Sequence, residues 1–358
     1  MSTLSLISKI PLYTSFRYFG WPKLLPFSLV ISVCYRCNSR CQTCNVWTKH
    51  ADELTLEEWD RIFAHIGRTP YYLTFTGGEP FLRRDLVDLI ASAYRHCRPA
   101  VITLPTNGLL SDQIPARVEE ILRVAPGSKL GVNLSLDGLG PQHDAIRGVP
   151  GGFDRALRTY KALKDIRHPN LTLSLHTVIS RFNVADIPAI CEGLAGLEPD
   201  SYITEIAEER VELGTVGLDI APPADDYAHA VDFLTGRLHD REFGGISKIT
   251  QAFRGSYYSL VKRTLRERRQ VIPCYAGWAS GHISPEGDVW TCCIRAEPVG
   301  NLRETDYDLW PIWLGPRAEA LRRDIRAGGC HCPLANASYT NMFLHLPTLV
   351  RVALRALR

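Results

Sequence analysis

The stretch Cys37-Asn38-Ser39-Arg40-Cys41-Gln42-Thr43-Cys44 decides how this chain is read. Three thiols stand at C-x3-C-x2-C spacing directly after an apolar run, Phe27 to Val33, that has the pattern of a strand. They therefore share one short loop at a strand's C-terminal end. Thiolates at this density suit zinc or an iron–sulfur cluster. Zinc fits less well. Cys34 adds a second C-x2-C, but only Asn38, Ser39 and Arg40 separate the two pairs. Two zinc knuckles need roughly 12–20 intervening residues to face each other. Three thiols on one loop instead match three corners of a [4Fe–4S] cube and leave one iron without a protein ligand.

Outward from this loop, strand-like and helix-like stretches alternate. Strands are expected at Leu29–Val33, Tyr71–Thr76, Ala100–Leu104, Leu130–Leu136, Leu171–Ile179 and Tyr202–Ile206. Helices are expected at Leu54–Ile66, Asp85–Cys97, Gln113–Val124, Phe153–Ile166 and Ala185–Leu194. The first helix opens on a capping box, Thr55 with Glu58. This rhythm describes βαβ units on a parallel sheet covered on both faces. The fold class is α/β: a partial (β/α)6 barrel, with a doubly wound open sheet as its rival. Either way, ligands bind where the strands end.

The boundaries expected are a leader over 1–27, the barrel over 28–215 and a helical connector over 216–270. A cysteine-rich unit follows over 271–335, then an amphipathic helix over 336–358. Pro11, Pro22 and Pro26 break any long helix in the leader, which reads as packed on the barrel.

Composition narrows the class. Over 358 residues, 45% hydrophobic and 22% charged content describes an ordinary globular chain. A net charge of +3 gives no argument for nucleic acid. Eleven cysteines without a signal peptide point to metal ligands in a cytoplasmic protein rather than to disulfides. No apolar run reaches the length of a membrane span.

The cysteine loop, together with Gly77-Gly78-Glu79-Pro80 after the second strand, resembles the radical S-adenosylmethionine (radical SAM) superfamily. The resemblance implies that Cys37, Cys41 and Cys44 hold a [4Fe–4S] cluster whose open iron chelates SAM. It implies that Gly77, Gly78 and Glu79 lie against the methionyl group. It places Ser135 and Asp137 near the ribose and carboxylate, and Arg147 on the carboxylate. Asn107 is a turn residue or a polar wall of the same site. The implied chemistry is one-electron cleavage of SAM to a 5′-deoxyadenosyl radical that abstracts hydrogen from a C–H bond, with an electron donor such as flavodoxin or ferredoxin.

Cys274 and Cys292, then Cys330 and Cys332, resemble the SPASM or twitch extension of that superfamily in its shorter form. The resemblance implies one auxiliary iron–sulfur cluster, a [4Fe–4S]. The last pair is C-x-C rather than C-x2-C, so Cys293 or His331 is open as the fourth ligand, and a structural zinc site is the alternative. Cys97 and Cys191 read as core residues, and His176 as a satisfied core histidine.

After the sixth strand, Glu205, Glu208 and Arg210 would face the barrel mouth as candidate catalytic residues, each carboxylate a candidate base. The substrate expected is a small molecule, sugar or lipid. A peptide ranks below these because only about 30 residues precede the first strand, too few for a leader-peptide-binding domain. A non-catalytic zinc protein is the reading from another class. Finally, residues 1–51 and 325–358 contain no Asp or Glu. Pro347–Arg358 reads as a helix with Arg351, Arg355 and Arg358 beside Val350, Leu354 and Leu357. That composition suits a peripheral contact at the inner face of a membrane.

Overall fold

The computed structural model describes residues 6–239 and 246–357. Six parallel strands form one end of a sheet: β1 (Ser28–Cys34), β2 (Tyr72–Gly77), β3 (Val101–Thr106), β4 (Lys129–Ser135), β5 (Leu171–Ile179) and β6 (Ser201–Ile206). They stand side by side in chain order. A doubly wound sheet reverses its order at a switch point; this one does not, so the rival reading falls.

The crossovers are helical: α1 (Lys9–Phe19) precedes the sheet, and α2 (Leu56–Ile66), α3 (Leu86–Cys97) and α4 (Ile114–Val124) follow the first three strands. A short α5 (Pro141–Arg147), which the sequence reading did not separate out, precedes α6 (Gly152–Lys164), and α7 (Ile187–Ala195) leads to β6. The Thr55–Glu58 capping box forms at the start of α2, each side chain bonding the other's backbone N–H. Each helix buries an apolar stripe on the sheet, as Trp59, Ile62, Phe63 and Ile66 do from α2.

Beyond β6 come α8 (Ala224–His239) and α9 (Ile246–Glu267), then three more strands: β7 (Ser280–Ile283), β8 (Asp288–Trp290) and β9 (Pro298–Asn301). β7 pairs parallel with β1, Ser28 opposite Ser280 and Ile31 opposite Ile283. The cysteine-rich region thus continues the barrel's own sheet to nine strands. Gly287, at φ +92°, makes the β7–β8 turn.

The chain closes with α10 (Leu309–Trp313), α11 (Pro316–Ala327), α12 (Ala335–Leu344) and α13 (Leu346–Leu357). The leader differs from expectation. Pro11 sits in the first turn of α1, where its missing N–H breaks no bond. Tyr13 of this helix packs with Phe27, Tyr275, Ala279 and Leu344, and Phe16 with Trp278 and Ile325. The leader therefore leans mainly on the cysteine-rich region rather than on the barrel helices.

Candidate active site

The cysteine loop leaves β1 and is pinned at its middle. Arg40 N donates to the Arg147 carbonyl at 2.9 Å and Gln42 N to that of Ile146 at 2.8 Å, at the C-terminal end of α5. On the opposite side, Gly78 N donates to Cys34 O at 2.7 Å and Glu79 N to Arg36 O at 2.9 Å. A Cβ on Gly77 would lie 2.1 Å from the Cys34 carbonyl oxygen, and one on Gly78 2.1 Å from that of Arg36. The two glycines are required here because the β2 turn lies directly on the cysteine loop.

Glu79 is buried and accepts three bonds: from Phe81 N at 3.2 Å, Thr106 Oγ1 at 2.9 Å and Asn107 N at 2.8 Å. Burial pushes its pKa up to about 7 in spite of these donors. Its role is to tie the β2 turn to the end of β3. Asn107 completes the tie, its Nδ2 reaching Asn38 Oδ1 at 2.7 Å and Ser39 Oγ at 3.1 Å. Asn107 is thus more than a turn residue: it braces the cysteine loop and also lines the cavity.

Ser135 and Arg147 line the same cavity. Asp137 is turned beneath it. Its Oδ1 accepts from Val178 N at 2.8 Å, and its Oδ2 lies 2.6 Å from Arg147 Nε. Arg147 in turn reaches Cys41 Sγ at 3.9 Å. Asp137 therefore aims the guanidinium at the cysteine loop.

The cavity they border measures about 360 Å³, within the range of ligand pockets. It runs from Cys37, Cys41 and Cys44 across the strand ends to Glu205, Glu208 and Arg210. His176, expected in the core, also lines it, with Nε2 3.5 Å from Glu205 Oε1. Burial drives the Glu205 pKa upward, but the His176 bond and the charges of His176 and Arg210 hold it below the usual value. Glu208 is different. Both its oxygens are buried without a hydrogen-bond partner among the described residues, and Arg210 Nε is 3.8 Å away. Burial, reinforced by Glu205 and opposed by Arg210, pushes Glu208 up to about 7. Three further residues at this end, Glu212, His282 and Cys293, escaped the sequence reading as a group. They come from three separate segments, and no local spacing announces them.

Of the second cysteine set, Cys274 and Cys330 flank the Phe16–Trp278–Ile325 cluster. Cys292 and Cys332 flank a neighbouring one with Cys293, Leu334 and Ala337. Cys274 is held from both sides: its carbonyl accepts from Arg17 Nε at 2.9 Å, and Asn341 Oδ1 accepts from the next residue's N–H at 2.7 Å. The Cys332 thiol is pushed well above its ordinary value by burial, then by Glu208, Cys292 and Cys274. Cys293 is pushed up by burial and then by Glu212. Of the two alternative ligands, His331 is exposed and Cys293 faces the cavity. No disulfide joins cysteines among the described residues.

Both cysteine sets fit an iron–sulfur centre on their chemistry. Burial pushes Cys37 up to about 11, and Cys44 and Cys292 up to about 12, so these thiols alone stay protonated at neutral pH. A bound cationic centre is what converts such buried thiols to thiolate ligands.

Comparison with known proteins agrees with this geometry. The family model of the radical SAM superfamily matches residues 31–194, and that of the SPASM iron–sulfur cluster-binding domain matches 274–333. The PqqA peptide cyclase of Granulibacter bethesdensis is 26% identical over 336 residues, covering 86% of this chain and 83% of its own. The pre-heme d1 synthase of Dinoroseobacter shibae is 30% identical over 326 residues, covering 82% and 76%. Among solved structures, Streptococcus suis SuiB bound to S-adenosylmethionine shares the fold. It superposes with a TM-score of 0.63 at 16% identity, over 89% of this chain and 72% of that one. The chain belongs to the radical SAM superfamily and carries a SPASM domain. It is an enzyme of that superfamily, and its cofactors are a [4Fe–4S] cluster with SAM and an auxiliary iron–sulfur cluster.

Proposed function

We propose that this radical SAM enzyme modifies a peptide, oxidising it or forming a bond within it after hydrogen abstraction. The observation that carries the substrate class is the likeness to PqqA peptide cyclase along 86% of the chain, more than the barrel alone occupies. It reverses the order expected from sequence, which placed a small molecule, sugar or lipid first. The expectation rested on what precedes β1, whereas the likeness extends over more of the chain than the barrel.

The reaction divides among residues as follows. Cys37, Cys41 and Cys44 hold the SAM-binding cluster, which when reduced supplies the electron that yields a hydrogen-abstracting radical. Gly77, Gly78 and Glu79 set the loop's height above the strand ends. Arg147, aimed by Asp137, meets the SAM carboxylate with its planar fork, and Ser135 and Asn107 provide polar wall. Glu208, undercommitted and poised near neutrality, takes the proton that the oxidised substrate releases. Glu205 and Arg210 hold the substrate beside it. Cys274, Cys292, Cys330 and Cys332 would hold the auxiliary cluster, which would supply an acceptor for the second electron. A flavodoxin or ferredoxin supplies the first.

A second reading takes a tetrapyrrole as substrate, because the pre-heme d1 synthase is the more identical relative, at 30%. One experiment separates them. The anaerobically reconstituted enzyme is given SAM, dithionite and either a library of deuterated short peptides or deuterated tetrapyrroles. Deuterium should appear in 5′-deoxyadenosine with the peptides, and a peptide should lose two hydrogens. Transfer from tetrapyrroles alone would overturn the peptide reading.

For location, no helix among the described residues is long and apolar enough to cross a membrane. We infer a peripheral contact instead, supported by the exposure of Phe19 and Trp21 and of Leu346, Val350 and Leu354. The aliphatic stripe of the last helix is in part free: α13 turns Thr348 and Val352 inward and leaves Val350 and Leu354 in solvent.

A further inference from the structure

We propose that Glu212, His282 and Cys293 form a mononuclear metal site, separate from both iron–sulfur centres, with its open position facing the substrate cavity. One ligand atom from each residue lies within 4.8 Å of the other two, and all three residues are buried. Glu212 Oε1 and His282 Nε2 are already 3.6 Å apart. Ligands about 2.0–2.3 Å from a tetrahedral zinc stand about 3.3–3.8 Å from one another. The donor atoms thus need only small side-chain rotations to close on one ion.

The three donors arrive from independent elements. His282 is on β7 opposite Val30 of β1, Cys293 follows β8, and Glu212 lies in the loop after β6. The backbone of that loop is fixed: the Glu212 carbonyl accepts from Lys49 Nζ at 2.6 Å. His282 is held by a tilted ring contact with Trp290, centroids 4.8 Å apart, and by Ser32 Oγ at 2.8 Å from its Nε2. For Nε2 to meet a metal, Ser32 must swing its Oγ aside to another rotamer; the ring's other nitrogen, Nδ1, is buried with no hydrogen-bond partner among the described residues. Burial lowers the His282 pKa against the opposing pull of Glu212, the direction that favours the neutral ring a metal ligand needs. Of the nearby cations, Arg210 has its own carboxylate in Glu208 at 3.8 Å, and Lys49 is bonded to the backbone carbonyls of Val211 and Glu212.

One carboxylate, one imidazole and one thiolate form a mixed set of borderline softness. That set suits zinc, with iron(II) next. Three protein ligands with a fourth direction into a cavity is the arrangement of a site that binds something else there. All three residues line the substrate cavity. The ion would grip a carbonyl or carboxylate oxygen of the substrate and fix which C–H bond meets the radical. This orienting role rests on the cavity being the substrate site; metal binding itself does not depend on the substrate's class.

The test measures metal, not turnover. Protein loaded anaerobically with both clusters is equilibrated with zinc and a weak chelator, and zinc and iron are counted together. Wild type should retain about one zinc per chain beyond its iron. Zinc-edge X-ray absorption should show one sulfur and several nitrogen or oxygen neighbours. His282→Gln and Cys293→Ser should each weaken retention by more than about tenfold with iron unchanged. Cys293 adjoins Cys292, so Cys293→Ser can disturb the cluster; Glu212→Gln then carries the test with the fold and all cysteines intact. Failure of wild type to retain zinc, or equal retention by Glu212→Gln and His282→Gln, would overturn the site. So would an all-sulfur zinc environment or zinc that leaves only with iron, since that zinc occupies a cluster position.

Discussion

The chain holds two cysteine sets, and they are built on opposite plans. The first occupies eight consecutive residues on one loop, and everything around it serves to hold that loop still. The β2 turn lies on it, Asn107 braces it, and the end of α5 clasps it. The second draws its cysteines from segments 18, 38 and 2 residues apart in turn (274 to 292, 292 to 330, 330 to 332). It comes together only when α1, β7, α11 and α12 have packed. A local site is fixed by short-range backbone bonds, whereas a dispersed one depends on the tertiary fold. The first should therefore fail through loss of ligands alone, and the second through loss of packing as well.

The largest effect tests the local half. Replacing Cys37, Cys41 and Cys44 together by alanine should abolish 5′-deoxyadenosine formation under dithionite. It should remove about four irons per chain and leave about four, with little change in thermal stability. Unchanged SAM cleavage would break the assignment. Complete loss of iron would break the contrast, since it would make the second set depend on the first.

The next effect tests the dispersed half. Cys274→Ala, Cys292→Ala and Cys332→Ala should each remove the second cluster's iron. Cleavage of SAM should persist while substrate product disappears. Melting temperature should fall in these variants, because Cys274 and Cys292 also pack against aromatic and aliphatic clusters. If Cys332→Ala keeps its iron, Cys293 is the ligand instead, and the metal site inferred above loses its sulfur. Zinc in place of iron at these four positions would favour a structural site.

What the sequence made legible follows the same division. The cysteine loop, the glycine turn and the alternation of strands and helices are local patterns, and the five expected crossing helices stand within a few residues of where periodicity places them. The capping box at Thr55 is one example. Yet Glu58 also accepts a two-pronged bond from Arg303, at 2.7 and 3.1 Å, across 245 residues. No short-range pattern encodes that pairing. Nor does one reveal that β7 docks on β1, which is what carries His282 into the barrel beside Glu212. The glycines were legible as glycines, but their neighbour was not: their Cβ space is filled by carbonyls of the cysteine loop. Asp137 and Arg147 each stood out as polar, and only the fold shows that one spends itself on the other.

Glu208 lies between the two sets and offers a sharper probe of how they cooperate. Its pKa is raised to about 7, chiefly by burial. A general base works only when deprotonated, so product formation should rise with pH through about 7 and level off above it. Glu208→Gln should lower the rate of product formation by about 10²–10⁴-fold and flatten that rise. Uncoupled SAM cleavage should change little, because Glu208 touches neither cysteine set's loop by hydrogen bond. A pH profile in Glu208→Gln identical to that of wild type would remove Glu208 from the chemistry and leave His176 and Glu205 as the proton-handling pair.

The smallest effect concerns the surface outside the dispersed half, where α1, α12 and α13 adjoin. The leader helix α1 and the final helix α13 both adjoin α12: Tyr13 packs with Leu344, and α13 begins at Leu346 directly after it. Phe19 is 84% exposed and Trp21 73%, while Leu346 is 62% and Leu354 56% exposed. Large exposed apolar side chains at α1 and α13, in segments rich in arginine and lysine and with no acid in residues 1–51 or 325–358, match the composition of an interfacial surface. Arg351 is also exposed on α13. Each cation near an anionic leaflet contributes roughly 1 kcal/mol and each buried aromatic about 1.5–3 kcal/mol. The sum is enough for reversible, salt-sensitive binding and too little for a permanent anchor. The whole protein should float with vesicles containing anionic lipid at low salt and release at high salt. Phe19→Ser with Trp21→Ser, or Val350→Glu with Leu354→Glu, should reduce flotation by about tenfold while leaving iron content intact. Removing α13 outright is the poorer test, since it uncovers the apolar face of α9 at Leu260. If wild type stays at the bottom of the gradient at low salt, the exposed face has another use. The comparison then ends at the two cysteine sets, with nothing to distinguish the surface of one from that of the other.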